Sequence, residues 1–510
     1  MKLKKVKIKN FRGYNDEVEI EFGNLTAFVG KNDIGKSTVL EVLDIFFNEG
    51  KGVIKLDKED INKQALAENN NEIVISVCFE ELPTTIIIDS TNETTLQSEF
   101  LLNSCNQLEI IKRYPNAGKE KVFVKANHPT NDDCKDLLQK TNKELQKIIK
   151  DNSIFCSDQT KNAVMRAAIW ETCTDLQLSE IEIDVTKGET KSIWEKLQNY
   201  LPLYTLFQSD RKNSDGDSEV QDPLKEAVKQ ILSDNQIKQK FSEISAEVEK
   251  KLKDVSDRTL DKIREMNPEI ASTLNPVIPS AESLKWAEVF KSVSISSDED
   301  IPINKRGSGV KRLILLNFFR AEAERIKAEK NNPSIIYAIE EPETSQHTEY
   351  QKKLISAFLS LSETQNVQVI ITTHSAVLVK ELKFEHLRLI SSRSNSKMVE
   401  KVLPNQLPYP SLNEVNYLAF AEITEEYHNE LYGYIVSEGE LQNFKSGKKN
   451  IKYLREIKGG SIITEQIILT EYIRNQIHHP ENKQNARFTN EQLKESIELM
   501  RAFIQTMIKR

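Results

Sequence analysis

The chain contains few cysteines, and none of them stand in a pattern that binds zinc. Five cysteines occur in 510 residues, and no two of them form a C-x-x-C pair. This spacing excludes the usual zinc sites, and the small number excludes a fold held together by a disulfide framework. All five lie in the first half of the chain, where we interpret them as small buried side chains: Cys78, Cys105, Cys134, Cys156 and Cys173.

The chain also lacks long apolar runs and a basic excess. No stretch approaches the roughly 18 apolar residues of a membrane span. The start, MKLKKVKIKNF, alternates lysines with apolar residues and lacks the apolar core of a signal peptide. We therefore expect a cytoplasmic protein with no membrane partner. Because the net charge is −8, any contact with nucleic acid must come from a local basic patch.

A chain of 510 residues exceeds what one hydrophobic core usually supports. Residues 1–131 contain strand patterns, a glycine turn and a helix, and their later part fits a small antiparallel β lobe. Lys- and Glu-rich helical patterns predict a helical insertion over 132–280. Strand and helix patterns alternate again over 281–410. Residues 411–510, the tail, predict an all-α C-terminal domain behind an α/β domain, with a capping box of Thr489 and Gln492 before the last helix.

A glycine-rich turn near the start predicts a phosphate site. GKNDIGKS, Gly30 to Ser37, matches G-x-x-x-x-G-K-[ST] between a strand and a helix. Its backbone N–H groups and the helix N-terminus favour phosphate oxygens. Lys36 can reach the β- and γ-phosphates of ATP, and Ser37 Oγ can ligate Mg²⁺. The candidate nucleotide contacts in this turn are Gly30, Asn32, Gly35, Lys36, Ser37 and Thr38.

Two apolar runs end in polar residues that could complete this site. SIIYAIEEPE ends in Glu340, which can bind Mg²⁺ through water, and Glu341, which can polarise the attacking water. VQVIITTHS leads to His374, which can contact the γ-phosphate. The alternatives are two surface acids and a histidine that caps a helix.

A second glycine turn precedes the acidic run. In NKRGSGVKRL, Ser308 and Gly309 could present a hydroxyl and N–H groups to a phosphate. A bare Gly-Ser-Gly is a weak signal, but its place between a phosphate turn and an acidic strand is informative.

The order of these motifs resembles the ABC-type ATPases of the SMC, RecF and OLD group. The resemblance covers residues 1–50 and roughly 300–395. EEPETSQHTEYQ is similar to the EEPE-x-x-LHP-x-x-Q of OLD-like ATPases, although Gln346 and Thr348 stand where leucine and proline are common. The resemblance implies an α/β ABC-type ATPase head with an antiparallel β lobe.

The same resemblance implies further contacts and an assembly. NFRGY is typical of the group and makes Arg12 a candidate nucleotide contact, and Gln208 is the candidate for the glutamine loop. In this family one head's phosphate loop and the opposing head's signature, here Ser308 and Gly309, enclose the same ATP. A homodimer through the heads, or a higher homo-oligomer, is therefore implied.

The tail does not resemble the Toprim nuclease domain that follows the ATPase in OLD proteins. Arg474, Asn475 and His479 instead match the R-x4-H pattern of HEPN-type ribonucleases. Cleavage of RNA without metal needs proton transfer to and from the reacting oxygens and a cation for the charged phosphorane, which histidine and arginine supply. His478, one turn after Arg474, is the other candidate. The alternative is a helix end before Pro480 with no catalytic role.

One local basic run could hold an RNA backbone or form a solvated helix face: Lys445, Lys448, Lys449, Lys452, Arg455 and Lys458. The leading hypothesis is an ATPase of bacterial anti-phage defence that controls RNA cleavage by a HEPN-like tail, with tRNA as a candidate substrate. The second is a sensor ATPase, similar to those of PARIS- or Septu-type systems, that responds to a phage trigger and holds a separate effector protein. The third is DNA maintenance of the RecF kind.

Overall fold

The computed structural model describes residues 1–208 except 32, 49–51 and 89–92, scattered positions between 234 and 253, and residues 334–508 except 345–347, 394–395, 403–410 and 458–460. The chain divides into two compact units, one of Met1–Ser209 with Glu322–Arg510 and one of Asp210–Ala321. The phosphate turn, the acidic strand end and the tail all belong to the first unit. Asn32, Ser308, Gly309, Gln346 and the later part of the predicted insertion lie outside the described residues.

The first unit contains both strands and helices in each of its two stretches of sequence. The strands are β1 (Lys2–Lys9), β2 (Val18–Glu21), β3 (Leu25–Val29), β4 (Glu72–Glu80), β5 (Ile86–Ile87), β6 (Glu93–Thr94), β7 (Leu108–Pro115), β8 (Lys121–His128), β9 (Ser179–Asp184), β10 (Leu203–Phe207), β11 (Ile335–Glu340), β12 (Val367–Thr373), β13 (Leu387–Arg393), β14 (Ser396–Lys401), β15 (Asn450–Glu456) and β16 (Ile462–Ile468). The helices are α1 (Lys36–Asn48), α2 (Lys63–Ala67), α3 (Asn142–Asp151), α4 (Asn162–Thr172), α5 (Thr190–Leu197), α6 (Thr348–Ser362), α7 (Ala376–Lys380), α8 (Leu412–Phe420), α9 (Glu425–Ser437), α10 (Leu441–Lys445), α11 (Leu469–His478) and α12 (Asn490–Ile508).

A six-stranded sheet in the order β10-β11-β12-β3-β13-β14 carries the predicted ATP site. Its strands run parallel except β14, which pairs antiparallel with β13. Every residue of β3 and β12 is buried, as expected for strands covered on both faces. Because β3 lies between β12 and β13, the chain's first strands and its later strands end at one common edge. That edge collects the motifs that are far apart in the sequence.

The predicted antiparallel lobe is a second sheet, in the order β2-β1-β4-β7-β8-β9. The alternation in β1 buries Leu3, Val6 and Ile8 on one face. The lysines between them pair with carboxylates of the neighbouring strands: Lys5 Nζ is 2.7 Å from Glu19 Oε1. The basic start of the chain is therefore neutralised within the sheet and does not form a free basic patch.

One hydrophobic core joins the two sheets. The helix α1 contributes Val39, Leu43 and Phe46 to it, and the parallel sheet contributes Ile336 and Ile370. The tail has a separate core formed by α9 to α12 and the end of β16, which includes Leu431, Ile473 and Ile497. The helix that begins the site is thus held by both sheets, whereas the tail helices are held mainly by one another.

Three strand pairings differ from the sequence expectations. β9 and β10 lie within residues 132–280, where the sequence predicts an insertion of helices; β9 extends the antiparallel sheet and β10 pairs with β11. β15 and β16 form an antiparallel hairpin in the tail, so the C-terminal domain is mainly helical but not all-α. The capping box is confirmed, because the N–H of Thr489 donates to Gln492 Oε1 at 2.9 Å and the N–H of Gln492 to Thr489 Oγ1 at 3.3 Å.

Candidate active site

The phosphate turn connects β3 to α1 at the common edge of the parallel sheet. Gly30 has φ of +153°, and a Cβ atom there would lie 2.9 Å from the carbonyl oxygen of Ile390 on β13. Gly35 has φ of +101°. Residues that carry a Cβ atom rarely adopt either backbone conformation. Both glycines are therefore required for the backbone to curl in front of the helix.

Lys36 lies folded against this turn. Its Nζ donates to the carbonyl oxygens of Gly30 and Lys31, each at 3.0 Å, and lies 3.9 Å from Glu341 Oε1. Burial lowers the pKa of Lys36, and nearby carboxylates, Glu341 first, oppose that shift. The carbonyl contacts hold the ammonium where a triphosphate would meet it.

Ser37 and Glu340 lie in direct contact across the site. The Ser37 hydroxyl donates to Glu340 Oε1. Thr38 follows on α1 and is half-buried. Hydroxyl and carboxylate oxygens are the donors that Mg²⁺ prefers. These two side chains fit the ion and would hold it, Glu340 directly or through water, beside the nucleotide phosphates.

Glu341 and His374 meet at the ends of β11 and β12. His374 Nδ1 lies 3.3 Å from Glu341 Oε1. Glu341 has φ of +39°, a strained value for a residue before proline. Its N–H donates to the backbone oxygen and to Oγ1 of Thr372, each at 3.1 Å. The acid and the histidine predicted from separate runs are therefore brought together.

Arg12 is engaged by carboxylates in this structure. Its Nε donates to Asp60 Oδ1 at 2.7 Å, and its Nη1 donates to Glu41 on α1. Burial raises the pKa of Glu41, and Arg12 opposes this. No sequence motif marks Asp60 or Glu41. Nucleotide contact by Arg12 stays a prediction, and in this structure the residue fastens α1 to the loop before α2.

Two further residues lie at this edge. The hydroxyl of Tyr14 donates to the Gly35 carbonyl at 3.2 Å and so supports the phosphate turn. Tyr14 belongs to NFRGY, so this motif could have identified it as a site residue. Gln208 follows Phe207, which pairs with Ile339 one residue before Glu340. Gln208 therefore lies at the same sheet edge as the acids.

The predicted residues of the tail lie on one helix and its end. Arg474 and Asn475 are on α11, and His479 is its C-terminal cap. The Arg474 guanidinium carbon lies 4.7 Å from the centre of the Tyr432 ring, a cation–π contact. The His479 side chain is 61% exposed, and its Nδ1 is 3.2 Å from Glu481 Oε1. His478 is exposed, one turn after Arg474.

A buried histidine lies beneath this helix. His428, on α9, is fully buried, and its Nε2 lies 3.0 Å from Ser496 Oγ on α12. Burial, aided by the neighbouring Arg474 and His478, lowers the pKa of His428 to about 4, although a hydrogen bond with Asn429 opposes the shift. A neutral imidazole is thus held near Arg474 and His478. No sequence pattern marks His428.

The phosphate turn, the lysine that lies in it, and the paired acids at the end of the neighbouring sheet strands define a P-loop ATPase. The chain belongs to the AAA ATPase domain family (AAA_15), whose profile matches residues 1–379. The predicted ATPase of the SMC and OLD kind is confirmed by this match. ATPases of this type use ATP and Mg²⁺.

Two relatives of known name are similar to parts of the chain. It is 22% identical over 409 residues to the OLD nuclease of Thermus scotoductus. The aligned region covers 78% of this chain and 63% of that protein. It is 31% identical over 104 residues to ABC multidrug transporter E of Aspergillus fumigatus, which covers 20% of this chain and 8% of that protein. The chain therefore spans less than two thirds of either relative.

Solved SMC heads are also similar. The SMC head domain from Thermotoga maritima has 12% identity and a TM-score of 0.34, covering 79% of this chain and all of that one. The Smc head bound to the C-terminal domain of ScpA, derived from Pyrococcus furiosus, has 13% identity and a TM-score of 0.39, covering 79% of this chain and 96% of that one. The family match remains the evidence for the ATPase. Among the described residues, no helix has both the length and the apolarity to cross a bilayer.

Proposed function

We propose that this ATPase controls an RNA-cleaving tail, as part of bacterial defence against phage. The observation that carries the proposal is the state of Arg474. It is half-buried, lies on the ring of Tyr432, and has no carboxylate at ion-pair distance within the described part of the chain. Glu471, one turn earlier on α11, is paired with Lys445 instead. An arginine held by an aromatic face keeps its planar fork for a phosphate.

The tail could cleave RNA by transesterification. The 2′-oxygen attacks phosphorus, the bond to the 5′-oxygen breaks, and protons pass from the 2′-OH to a base and from an acid to the 5′-oxygen. His479 or His478 could transfer these protons, Arg474 would stabilise the phosphorane, and Asn475 would orient either partner. Base and acid could come from two tails, which agrees with a dimer.

The basic run contributes less than its charge suggests. Lys445 is paired with Glu471, Lys448 Nζ lies 4.0 Å from the Phe444 ring centre, and Arg455 lies 3.3 Å from Glu465. Lys458 lies outside the described residues. Lys449 and Lys452 are then the members that support contact with an RNA backbone, and Lys452 is on β15 rather than on a helix.

The proposal is tested with RNA. The purified chain would be incubated with bulk tRNA, with and without ATP and Mg²⁺, beside Arg474→Ala, His479→Ala and His478→Ala. Lys494→Ala, an exposed change on α12, is the matched control. We expect cleavage to fall by at least about tenfold in Arg474→Ala and in one histidine variant, at unchanged assembly and ATP turnover. Cleavage that persists in Arg474→Ala would remove the tail from the chemistry.

We propose that two heads assemble around ATP, with the phosphate turn of one and Ser308-Gly309 of the other enclosing the nucleotide. Glu341→Gln should retain ATP, so it should accumulate dimers in light scattering. Ser308→Arg in that background should prevent them. Dimers that form equally in the double variant would contradict this arrangement. Phage challenge of cells that carry wild-type or Glu341→Gln protein tests the defence role.

A sensor that holds a separate effector protein is the second candidate. Six large aliphatic side chains of the tail are 38–49% exposed: Leu418, Val436, Ile457, Ile462, Ile463 and Leu499. Ile457, Ile462 and Ile463 are neighbours at the β15–β16 hairpin, and adjoining exposed apolar side chains favour a protein partner. Under this alternative no RNA is cut, and a defined partner is lost when Ile462 and Ile463 are both changed to serine.

A further inference from the structure

We infer that Glu343 is a positioning residue for ATP hydrolysis, which orients the imidazole of His374 beside Glu341. No sequence motif assigns a role to Glu343. The inference concerns the ATPase reaction and is independent of what the tail does.

Glu343 ties the turn after β11 to the end of β12. Its side chain is 3% exposed, and its Oε1 accepts from Thr373 Oγ1 at 2.7 Å and from the His374 N–H at 2.9 Å. A buried carboxylate needs such donors to offset the loss of water. The donors are the last residue of β12 and the residue that follows it, so the carboxylate fixes the backbone that carries His374.

The same oxygen also orients the ring. His374 Nδ1 lies 3.4 Å from Glu343 Oε1 and 3.3 Å from Glu341 Oε1. The ring therefore turns its Nδ1 edge towards two carboxylates, which leaves Nε2 as the nitrogen available to a γ-phosphate oxygen. Because the His374 side chain is 40% exposed, it would sample other χ1 rotamers without this contact.

The second oxygen of Glu343 indicates that the group serves the site. Glu343 Oε2 is buried and accepts no hydrogen bond within the described part of the chain. Such an atom weakens the fold, and a catalytic role is one of the reasons for which native structures retain one. The strained Glu341 lies two residues earlier in the same turn and depends on surrounding contacts to keep its conformation.

A double-mutant cycle tests the inference. Full-length Glu343→Ala, His374→Ala and the double variant would be compared with the wild type for kcat, KM and ATP affinity. We expect Glu343→Ala to lower kcat by at least about tenfold, since loss of orientation alone has effects of this size, and to leave ATP affinity within about threefold. In the His374→Ala background the same change should lower kcat by less than about twofold, because the ring that it orients is absent.

Two variants separate positioning from folding. Glu343→Gln retains an oxygen for both donors and should recover most of the kcat lost in Glu343→Ala, and Glu349→Gln on the exposed side of α6 should match the wild type. If Glu343→Ala does not fold, Thr373→Val, which removes one donor to Glu343, goes through the same cycle with the same criteria. An equal loss of kcat in both backgrounds, or lower thermal stability with unchanged kcat, would overturn the inference.

Discussion

The head and the tail hold their candidate residues in opposite ways. In the head, Lys36, Ser37, Glu340, Glu341 and His374 come from three distant stretches of sequence and meet at one edge of a buried sheet. In the tail, Arg474, Asn475 and His479 lie within six positions on one helix and its cap. The head residues touch one another, whereas His479 instead lies beside Glu481 on the surface.

This difference decides what each pattern can support. Spacing within one helix brings residues together whatever their purpose, because positions one turn apart always share a face. Residues from separate strands meet only when the fold makes them meet. Contact across the head site is therefore independent evidence for chemistry, and the tail needs an observation beyond spacing. Arg474 and Arg501 both lie 4.7 Å from the centre of a tyrosine ring, but Arg501 also has Glu414 beside it, whereas Arg474 has no carboxylate at ion-pair distance among the described residues. That difference is such an observation, and experiments on it carry more weight than the pattern itself.

The largest expected effect is on the acid that the head fold brings to the site. Glu341→Gln keeps the shape of the side chain but removes its charge. ATP turnover should fall by at least about a hundredfold, the usual contribution of a general base, while ATP binding persists. Glu363→Gln, at the opposite end of β12, is the control and should match the wild type. Unchanged turnover in Glu341→Gln would show that contact across strands did not identify the base.

The next effect tests whether the turn depends on the sheet. In Gly30→Ala the new Cβ would lie 2.9 Å from the carbonyl oxygen of Ile390, at φ of +153°. Strain of this kind is worth about 1 to 3 kcal/mol, and relieving it would displace the phosphate turn. We expect ATP binding to be lost or weakened more than tenfold, as measured by titration with a fluorescent analogue. Gly433→Ala, on α9, where a Cβ atom has open space, should not affect binding.

The head was largely predictable because its signals are local and cumulative. A glycine turn between a strand and a helix and two apolar runs with polar ends each predict their own structure, and parallel strands bring those ends to one edge. Residues that support the site through tertiary contacts could not be predicted this way. Asp60 and Glu41 meet Arg12 only in three dimensions, and Glu343, although it belongs to the EEPE run, shows its contacts with Thr373 and His374 only in the structure.

The missed strands had weaker signals that charge concealed. SEIEID, β9, alternates with period two, but it lies among Lys- and Glu-rich helices. NIKYLRE and IITEQII flank Gly459 and Gly460 in the sequence, which is a hairpin pattern. The lysines of this segment favoured a helix face instead. In the tail, strand alternation was more informative than charge.

A pH-dependent effect distinguishes the two regions further. Buried His428 has a pKa of about 4, below its ordinary 6.5. The unfolded tail therefore binds more protons between these values, so the stability that the neutral ring contributes is present above about pH 6.5 and is lost as pH falls towards 4. Between pH 7 and pH 5 the tail should lose on the order of 2 kcal/mol of unfolding free energy.

Denaturant unfolding, with proteolysis of the tail as the readout, measures this loss. In His428→Gln the difference between pH 7 and pH 5 should shrink by most of that amount, because the titrating group is gone. Tryptophan fluorescence reports unfolding of the head and gives a reference in the same sample. An equal pH dependence in the variant would mean that His428 does not report on folding of the tail.

The smallest expected effect bears most directly on the comparison. If Arg474 is kept for a ligand, its removal should barely affect the fold, since a cation–π contact at a partly exposed site is worth about 0.5 to 1 kcal/mol. Arg501 is the matched control on the same core: it binds the Tyr427 hydroxyl, lies 3.9 Å from buried Glu414, and is 14% exposed. Arg501→Ala should lower the unfolding free energy of the tail by about 3 kcal/mol, because it removes a cation from beside a buried carboxylate.

Arg474→Ala and Arg501→Ala can then be compared by denaturant unfolding and by RNA cleavage. A ligand-binding Arg474 gives a stable variant that does not cut RNA, whereas a structural Arg474 gives a loss of stability close to that of Arg501→Ala. The second result would place Arg474 with the packing of the tail. The contrast between the two regions would then be complete, with chemistry confined to the residues that the head brings together from distant parts of the chain.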